Sequence, residues 1–202
     1  MIDTVFKLPY EEFPRYFDFT HDMVPDETII NADTVVTCVN QETGADSKAE
    51  VITSELLQGR KVRVILKAGV LGQIHKITAK VHTDLDNILE KEILLHIRRD
   101  PTDSDYFFKQ PSEEYSVGND FADDLESVDS VSSQSVLATK QETGTDATAA
   151  VIKGSGLDGH SVHLHVGVFA TYSGEYHLLE MRIVTALGYK YAKQLTMITK
   201  EL

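Results

Sequence analysis

The run Gln41-Glu42-Thr43-Gly44-Ala45-Asp46 returns one hundred residues later as Gln141-Glu142-Thr143-Gly144-Thr145-Asp146. Around this anchor the two halves of the chain align almost without gaps. Phe6-Lys7-Leu8-Pro9 answers Phe108-Lys109-Gln110-Pro111, Ala49-Glu50-Val51-Ile52 answers Ala149-Ala150-Val151-Ile152, and Gly59 to Val64 answers Gly159 to Leu164. Beyond that the offset grows by two, so that Gly72 meets Gly174 and Thr83 meets Thr185. A recurrence this long is a small domain rather than a solenoid unit. The sequence therefore predicts two domains, residues 1–101 and 102–202, each large enough for a modest core.

Within each copy the apolar residues alternate in short runs. Thr34 to Val39 is rich in β-branched residues, Val62, Val64 and Leu66 share one side of Lys61 to Lys67, and Ile77, Ala79 and Val81 alternate with Lys76, Thr78 and Lys80. Pro9 and Pro14 confine the first two runs to a sheet edge or its ends. Lys48 to Ser54 is expected as a further strand, Ala68 to Gly72 as a hairpin tip carrying the indel, and Leu89 to Arg98 as the last strand. Ile88 to Leu95 has a helix-friendly composition, but its partner Lys190 to Met197 is strand-like, and one architecture must serve both copies. Seven short strands with turn signals about every ten residues argue for an all-β sandwich rather than βαβ units. Gly44 and Gly144 are expected at positive φ in the anchor turn. Arg98 to Asp105 is a short polar link.

The net charge of −13 argues against a phosphate-backbone binder, where Lys and Arg supply most of the affinity. The single cysteine, Cys38, rules out an internal disulfide. With no secretory signal and no apolar run long enough to span a membrane, the expectation is folding in a reducing cytoplasm.

Four constellations invite chemistry. His160, His163 and His165 look like a metal site, since residues two apart on a strand share a face, yet no cysteine or close carboxylate completes a zinc set, and solvent-facing histidines explain them. Asp120, Asp123, Asp124 and Glu126 lack the ligand spacing and turn glycine of an EF-hand loop, and read as a solvated acidic loop. Cys38 reads as a small buried thiol beside Val36. Tyr172, Tyr176, Tyr189 and Tyr191 crowd the end of the second copy, where tyrosines serve contact surfaces and half-buried sheet positions alike. With no phosphate loop, nucleophile elbow or paired cysteines, the expectation is a non-enzyme with no cofactor and no metal. The expected contact residues are Val70 and Leu71 in the shorter tip, Phe169, Thr171 and Tyr172 in the longer one, and Tyr189 and Tyr191.

Each copy resembles a small immunoglobulin-like domain of tailed-phage and prophage structural proteins. The likeness is carried by Phe108-Lys109-Gln110-Pro111, the segment Asp120 to Leu125, Gly144 to Asp146, Gly174-Glu175-Tyr176 and Thr185. The first copy departs from it, with Gly72-Gln73-Ile74 in place of the glycine–tyrosine pair. The chain is most similar to the fibre–tail adaptor group. That resemblance implies a virion component, assembled in the host cytoplasm, that joins a receptor-binding fibre to the tail. Its partners would be other tail or fibre proteins, with further copies of itself in a symmetric assembly, and it would bind neither nucleic acid nor membrane. The alternative is a module whose sheet faces or tips bind carbohydrate or another surface, which the lack of Trp disfavours.

Overall fold

The computed structural model describes residues 2–98, 105–110, 112–167 and 174–199. The chain divides into two compact units, Met1–Asp100 and Pro101–Leu202. Unit 1 contains strands β1 (Asp3–Lys7), β2 (Phe13–Asp18) and β3 (Ile29–Asn40), a single helical turn α1 (Lys48–Val51), then β4 (Ile52–Gln58), β5 (Lys61–Leu66), β6 (Ile74–Thr83) and β7 (Ile88–Ile97). Unit 2 repeats the series with β8 (Tyr106–Lys109), β9 (Tyr115–Asp120), β10 (Val131–Lys140), α2 (Thr148–Val151), β11 (Ile152–Asp158), β12 (Ser161–Val166), β13 (Tyr176–Thr185) and β14 (Lys190–Thr199). Among the described residues no helix is long and apolar enough to cross a membrane.

Each unit has a four-stranded and a three-stranded sheet, in the orders β1-β7-β6-β3 and β2-β5-β4 for unit 1 and β8-β14-β13-β10 and β9-β12-β11 for unit 2. The pairings are antiparallel except that the first strand of each unit lies parallel to the last. This is the immunoglobulin order, with the second, fifth and fourth strands forming one sheet and the third, sixth and seventh the other. Period-two alternation sends Val62, Val64, Leu66, Ile77, Ala79, Val81, Leu95 and Ile97 into the unit 1 core, and Val162, Leu164, Val166, Leu179, Met181 and Ile183 into that of unit 2. Fully burying such a side chain contributes about 1.5–3 kcal/mol, so each unit draws its stability from its own two inner faces. Ile88–Ile97 is a strand, not a helix, and Pro14 lies in the edge strand β2.

Three expectations change. Lys48 to Val51 is a helical turn because the Asp46 carboxylate accepts the Lys48 amide at 2.9 Å and the Ser47 carbonyl accepts the Glu50 and Val51 amides, which winds the chain before β4 begins. Asp146 does the same for Thr148 at 2.8 Å in unit 2. Ala68 to Gly72 is no hairpin tip, since β5 and β6 belong to different sheets and the segment carries the chain between them. A second length difference lies in β3, where the register jumps from Ile30 opposite His82 to Val35 opposite Lys80, whereas β10 shifts only between Val131 and Ser133. Most of the expected link falls on residues 99–104, outside the described residues.

Candidate interaction surfaces

The titratable groups that the sandwich buries serve the fold. Lys7 and Lys109, at matching places near the end of each first strand, are buried. The Lys7 ammonium donates to the carbonyls of Leu8 at 2.8 Å and Ala68 at 2.5 Å, tying the strand end to the β5–β6 connection. Burial lowers its pKa to about 8, partly offset by Glu11 and Glu12. Lys109 donates to the Gln110 carbonyl at 2.9 Å, and its pKa is also held down by burial. A carboxylate follows each lysine, with Glu11 accepting the Leu8 amide and Glu113 the Gln110 amide. The twice-occurring Phe-Lys-x-Pro marks both lysines in the sequence, but their burial shows only in the structure. His75 and His177 are a second buried pair, with pKa values lowered by burial. Cys38 lies beside Ser47, and burial pushes its thiol up, away from the thiolate a nucleophile needs.

The outward faces differ between units. On the three-stranded sheet of unit 1, Tyr16, Arg63 and Leu56 stand in register across β2, β5 and β4, with Tyr16 and Leu56 exposed. In unit 2 the same row is Gly118, His163 and Gly156. A Cβ on Gly118 would fall 2.7 Å from His163 Nδ1, so the missing side chain gives that ring its place. The four-stranded sheets reverse the contrast. Unit 2 sets Phe108, Ile198 and Tyr176 in one row across β8, β14 and β13, and Tyr106 packs edge-on against Phe108 at 5.6 Å. Tyr106, Phe108 and Tyr176 are 61%, 50% and 48% exposed. In unit 1 that row is Phe6, His96 and Ile74, where His96 lies 5.2 Å from the Phe6 ring and the Arg98 guanidinium covers Phe6 at 5.1 Å.

Of the expected contact residues, Val70 and Leu71 are 63% and 65% exposed, on the connection between the sheets. Tyr189 and Tyr191 are only 6% and 7% exposed and point into unit 2, so their rings fill its interior instead of its surface. Phe169, Thr171 and Tyr172 lie outside the described residues. The aromatic row was missed except for Tyr176. Alternation along Tyr106-Phe107-Phe108-Lys109 was its signal, since an inward Lys109 turns Tyr106 and Phe108 outward.

His165 takes Ser116 and Glu114 as neighbours, each at 3.3 Å, and Glu114 also pairs with Lys153. His160 contributes its carbonyl to the Phe121 amide. In the acidic loop, Asp120 accepts the Ala122 amide, Asp124 pairs with Lys193 at 2.9 Å, and Asp129 accepts the amides of Ser130 and Leu187. Among the described residues no group of three His, Cys, Asp or Glu side chains is gathered to hold a metal ion.

Residues 7–96 match a family model described as "Podophage GP4 fiber-tail adaptor protein gp77". Unit 1 thus matches a phage fibre–tail adaptor family. The adaptor match runs from the buried Lys7 to His96, and so takes in the Tyr16–Arg63–Leu56 row as well as the frame beneath it. Unit 2 lies beyond the matched residues and is related to unit 1 by the internal repeat. No curated protein matches the chain. Among solved structures, titin domains z1z2 in complex with telethonin align over 98% of this chain and 92% of that one, with 6% identity and a TM-score of 0.31. The I9-I11 tandem from titin aligns over 100% and 65%, with 10% identity and a TM-score of 0.32. SporoSAG from Toxoplasma gondii aligns over 98% and 97%, with 10% identity and a TM-score of 0.30. At such scores the likeness adds nothing to the strand order, on which the immunoglobulin-like assignment of both units rests.

Proposed function

We propose that the chain is a non-catalytic adaptor of a phage tail, in which each unit binds a different structural protein and the two together join fibre to tail. One observation carries this reading: a repeated frame bears unlike outer faces. Unit 1 presents Tyr16, Arg63 and Leu56 where unit 2 presents Gly118, His163 and Gly156, and unit 2 presents exposed aromatics where unit 1 covers Phe6 with Arg98. Aromatic and arginine side chains are the groups that anchor protein interfaces, and each unit offers its own set. The adaptor match over unit 1 supports a structural role in the virion. Repetition around a symmetric tail would raise the overall strength of individually modest contacts.

The test uses the whole chain in two forms, one carrying Tyr16→Ser and Leu56→Ser, the other Phe108→Ser and Tyr176→Ser. Each is immobilised and offered separately purified fibre and tail proteins of the same phage. The expected result is that each double variant loses one partner and keeps the other. Loss of the same partner by both forms, or of neither, overturns the two-ended reading.

A further inference from the structure

The first strand of unit 1 covers only half of the last. Residues Asp3 to Lys7 of β1 pair with Ile93 to Ile97 of β7, while β6 pairs the other edge of β7 from Ile88 to His96. Among the described residues, no strand pairs the outer edge of Ile88 to Glu92. An open sheet edge presents a row of main-chain donors and acceptors, and adding a strand there is a general mode of peptide recognition. Five residues of strand are about 17 Å long. Beside this edge lies a cleft of about 550 Å³ lined by Ile2, Tyr16, Phe17 and Ile93 together with Asp3, Asp18, Glu90, Lys91 and Glu92.

The charges decide what fits. Asp18 is paired with Lys61, Glu92 with Lys76 and Lys91 with Asp22, the Asp3 carboxylate accepts the neighbouring Thr4 amide, and the exposed Glu90 faces Lys80 across the β6–β7 pair and is open on its other side. Glu90 and Glu92 occupy outward positions along β7, and Ile93 lies on the inward side with Phe17 at the back of the cleft. A strand laid along this edge would set every second side chain against the glutamates and the alternate ones against Leu89, Lys91, whose ammonium is held by Asp22, and Ile93. Opposite charges across neighbouring strands attract and like charges repel, so Glu90 and Glu92 favour a basic strand over an acidic one at this edge. Unit 2 lacks the charge: the positions matching Glu90 and Glu92 are Ala192 and Gln194.

We infer that the uncovered edge of β7 takes up an extended segment of a partner protein in which lysine or arginine alternates with apolar residues, lengthening the four-stranded sheet of unit 1. This deepens the adaptor reading by giving the unit 1 partner a chemistry, and it rests on that reading only for the partner's being a phage protein.

The experiment uses the full chain labelled with ¹⁵N and two capped heptapeptides, one alternating lysine with valine and the other glutamate with valine. The lysine peptide should move the amide signals of Ile88 to Glu92 and slow their hydrogen exchange, leaving those of Lys190 to Gln194 unchanged. The glutamate peptide should do neither. Glu90→Lys, alone and with Asp3→Lys, should weaken the lysine peptide at least tenfold, and Glu90→Gln gives a milder change should the reversal disturb folding. Equal binding of both peptides, perturbation centred elsewhere, no binding of either, or full binding by Glu90→Lys and Glu90→Gln would each overturn the inference. Failure of the fibre and tail proteins to bind, with the lysine peptide still seated on β7, would instead remove the adaptor reading and leave the site.

Discussion

Ser47 Oγ sits 2.8 Å from His75 Nδ1 inside unit 1, and the same hydroxyl lies 3.4 Å from Cys38 Sγ. On its other side the His75 ring meets Gln73 Oε1 at 3.2 Å. Unit 2 has Ala138 and Ala147 where unit 1 has Cys38 and Ser47, so one copy of the repeat holds a buried polar chain that the other replaces with methyl groups. Removing one member of a buried hydrogen bond exposes its partner's full desolvation penalty, about 1–3 kcal/mol. Ser47→Ala should therefore destabilise unit 1 by that amount in a urea titration. A midpoint equal to wild type would show that the hydroxyl contributes nothing to stability.

The same histidines predict the acid limb of stability. Burial lowers the pKa of both His75 and His177 below the ordinary value of about 6.5. The unfolded chain then binds more protons than the folded one as the pH falls below about 6.5, so stability is lost in that direction. Melting temperature should drop from about pH 7 to about pH 5, and less so when His75→Gln and His177→Gln are combined. Parallel profiles for the two proteins would assign the acid loss to other groups.

Lys7 works in the opposite range. Its pKa is about 8 in the fold against 10.5 ordinarily, so the unfolded chain holds the proton across that interval and stability should rise with pH there. Lys7→Met keeps the length of the side chain but leaves the carbonyls of Leu8 and Ala68 without its ammonium. The variant should lose about 1–3 kcal/mol near neutral pH and show a flatter stability profile between pH 8 and 10.5. An unchanged slope would mean that Lys7 titrates like a surface lysine.

Gly144 has φ +69°, and a Cβ built on it meets nothing within 4 Å. Its role is thus conformational alone: the turn needs left-handed backbone, while Gly144 N–H bonds the Lys140 carbonyl at 2.8 Å. Gly144→Val should cost on the order of 1–2 kcal/mol and Gly144→Asn distinctly less, since asparagine tolerates that region. Thr145→Val should cost less than Gly144→Val in the same thermal melt.

What the sequence disclosed and what it hid follow from what each pattern measures. Alternation and the repeat made the strands and the anchor glycine legible, because Ile77, Ala79 and Val81 can be buried together only on a strand and Gly44 recurs as Gly144 in one turn. Alternation carries no information on which sheet a strand joins, and so the step from Leu66 to Ile74 read as a hairpin. The turn α1 depends on one Asp46 oxygen reaching back to the Lys48 amide, which no run of residues of this composition announces. Lys7 and Lys109 were hidden because lysine is ordinarily a surface residue. Among the expected contact residues, Val70 and Leu71 do stand at the surface, while Tyr189 and Tyr191 face inward. The aromatic row became visible only when β8 was set beside β14, which brings Phe108, Ile198 and Tyr176 into one line across ninety residues of chain.

Each unit should also fold alone. Unit 1 buries Phe19, Val64, Ile77 and Leu95 among its own strands, and unit 2 buries Phe121, Leu164, Leu179 and Met197 among its own. The cation beneath each sandwich end is repeated as well: Lys91 lies over the Phe19 ring at 5.6 Å and pairs with Asp22, and Lys193 lies over the Phe121 ring at 5.2 Å and pairs with Asp124. These pairs close within one unit and need nothing from its sibling. Residues 1–101 and 102–202, made as separate fragments, should each show one cooperative thermal transition and a near-ultraviolet spectrum that together sum to that of the whole chain. A fragment that melts without cooperativity, or a whole chain whose spectrum departs from the sum, would place part of the core between the two copies and remove the independence on which a two-ended adaptor depends.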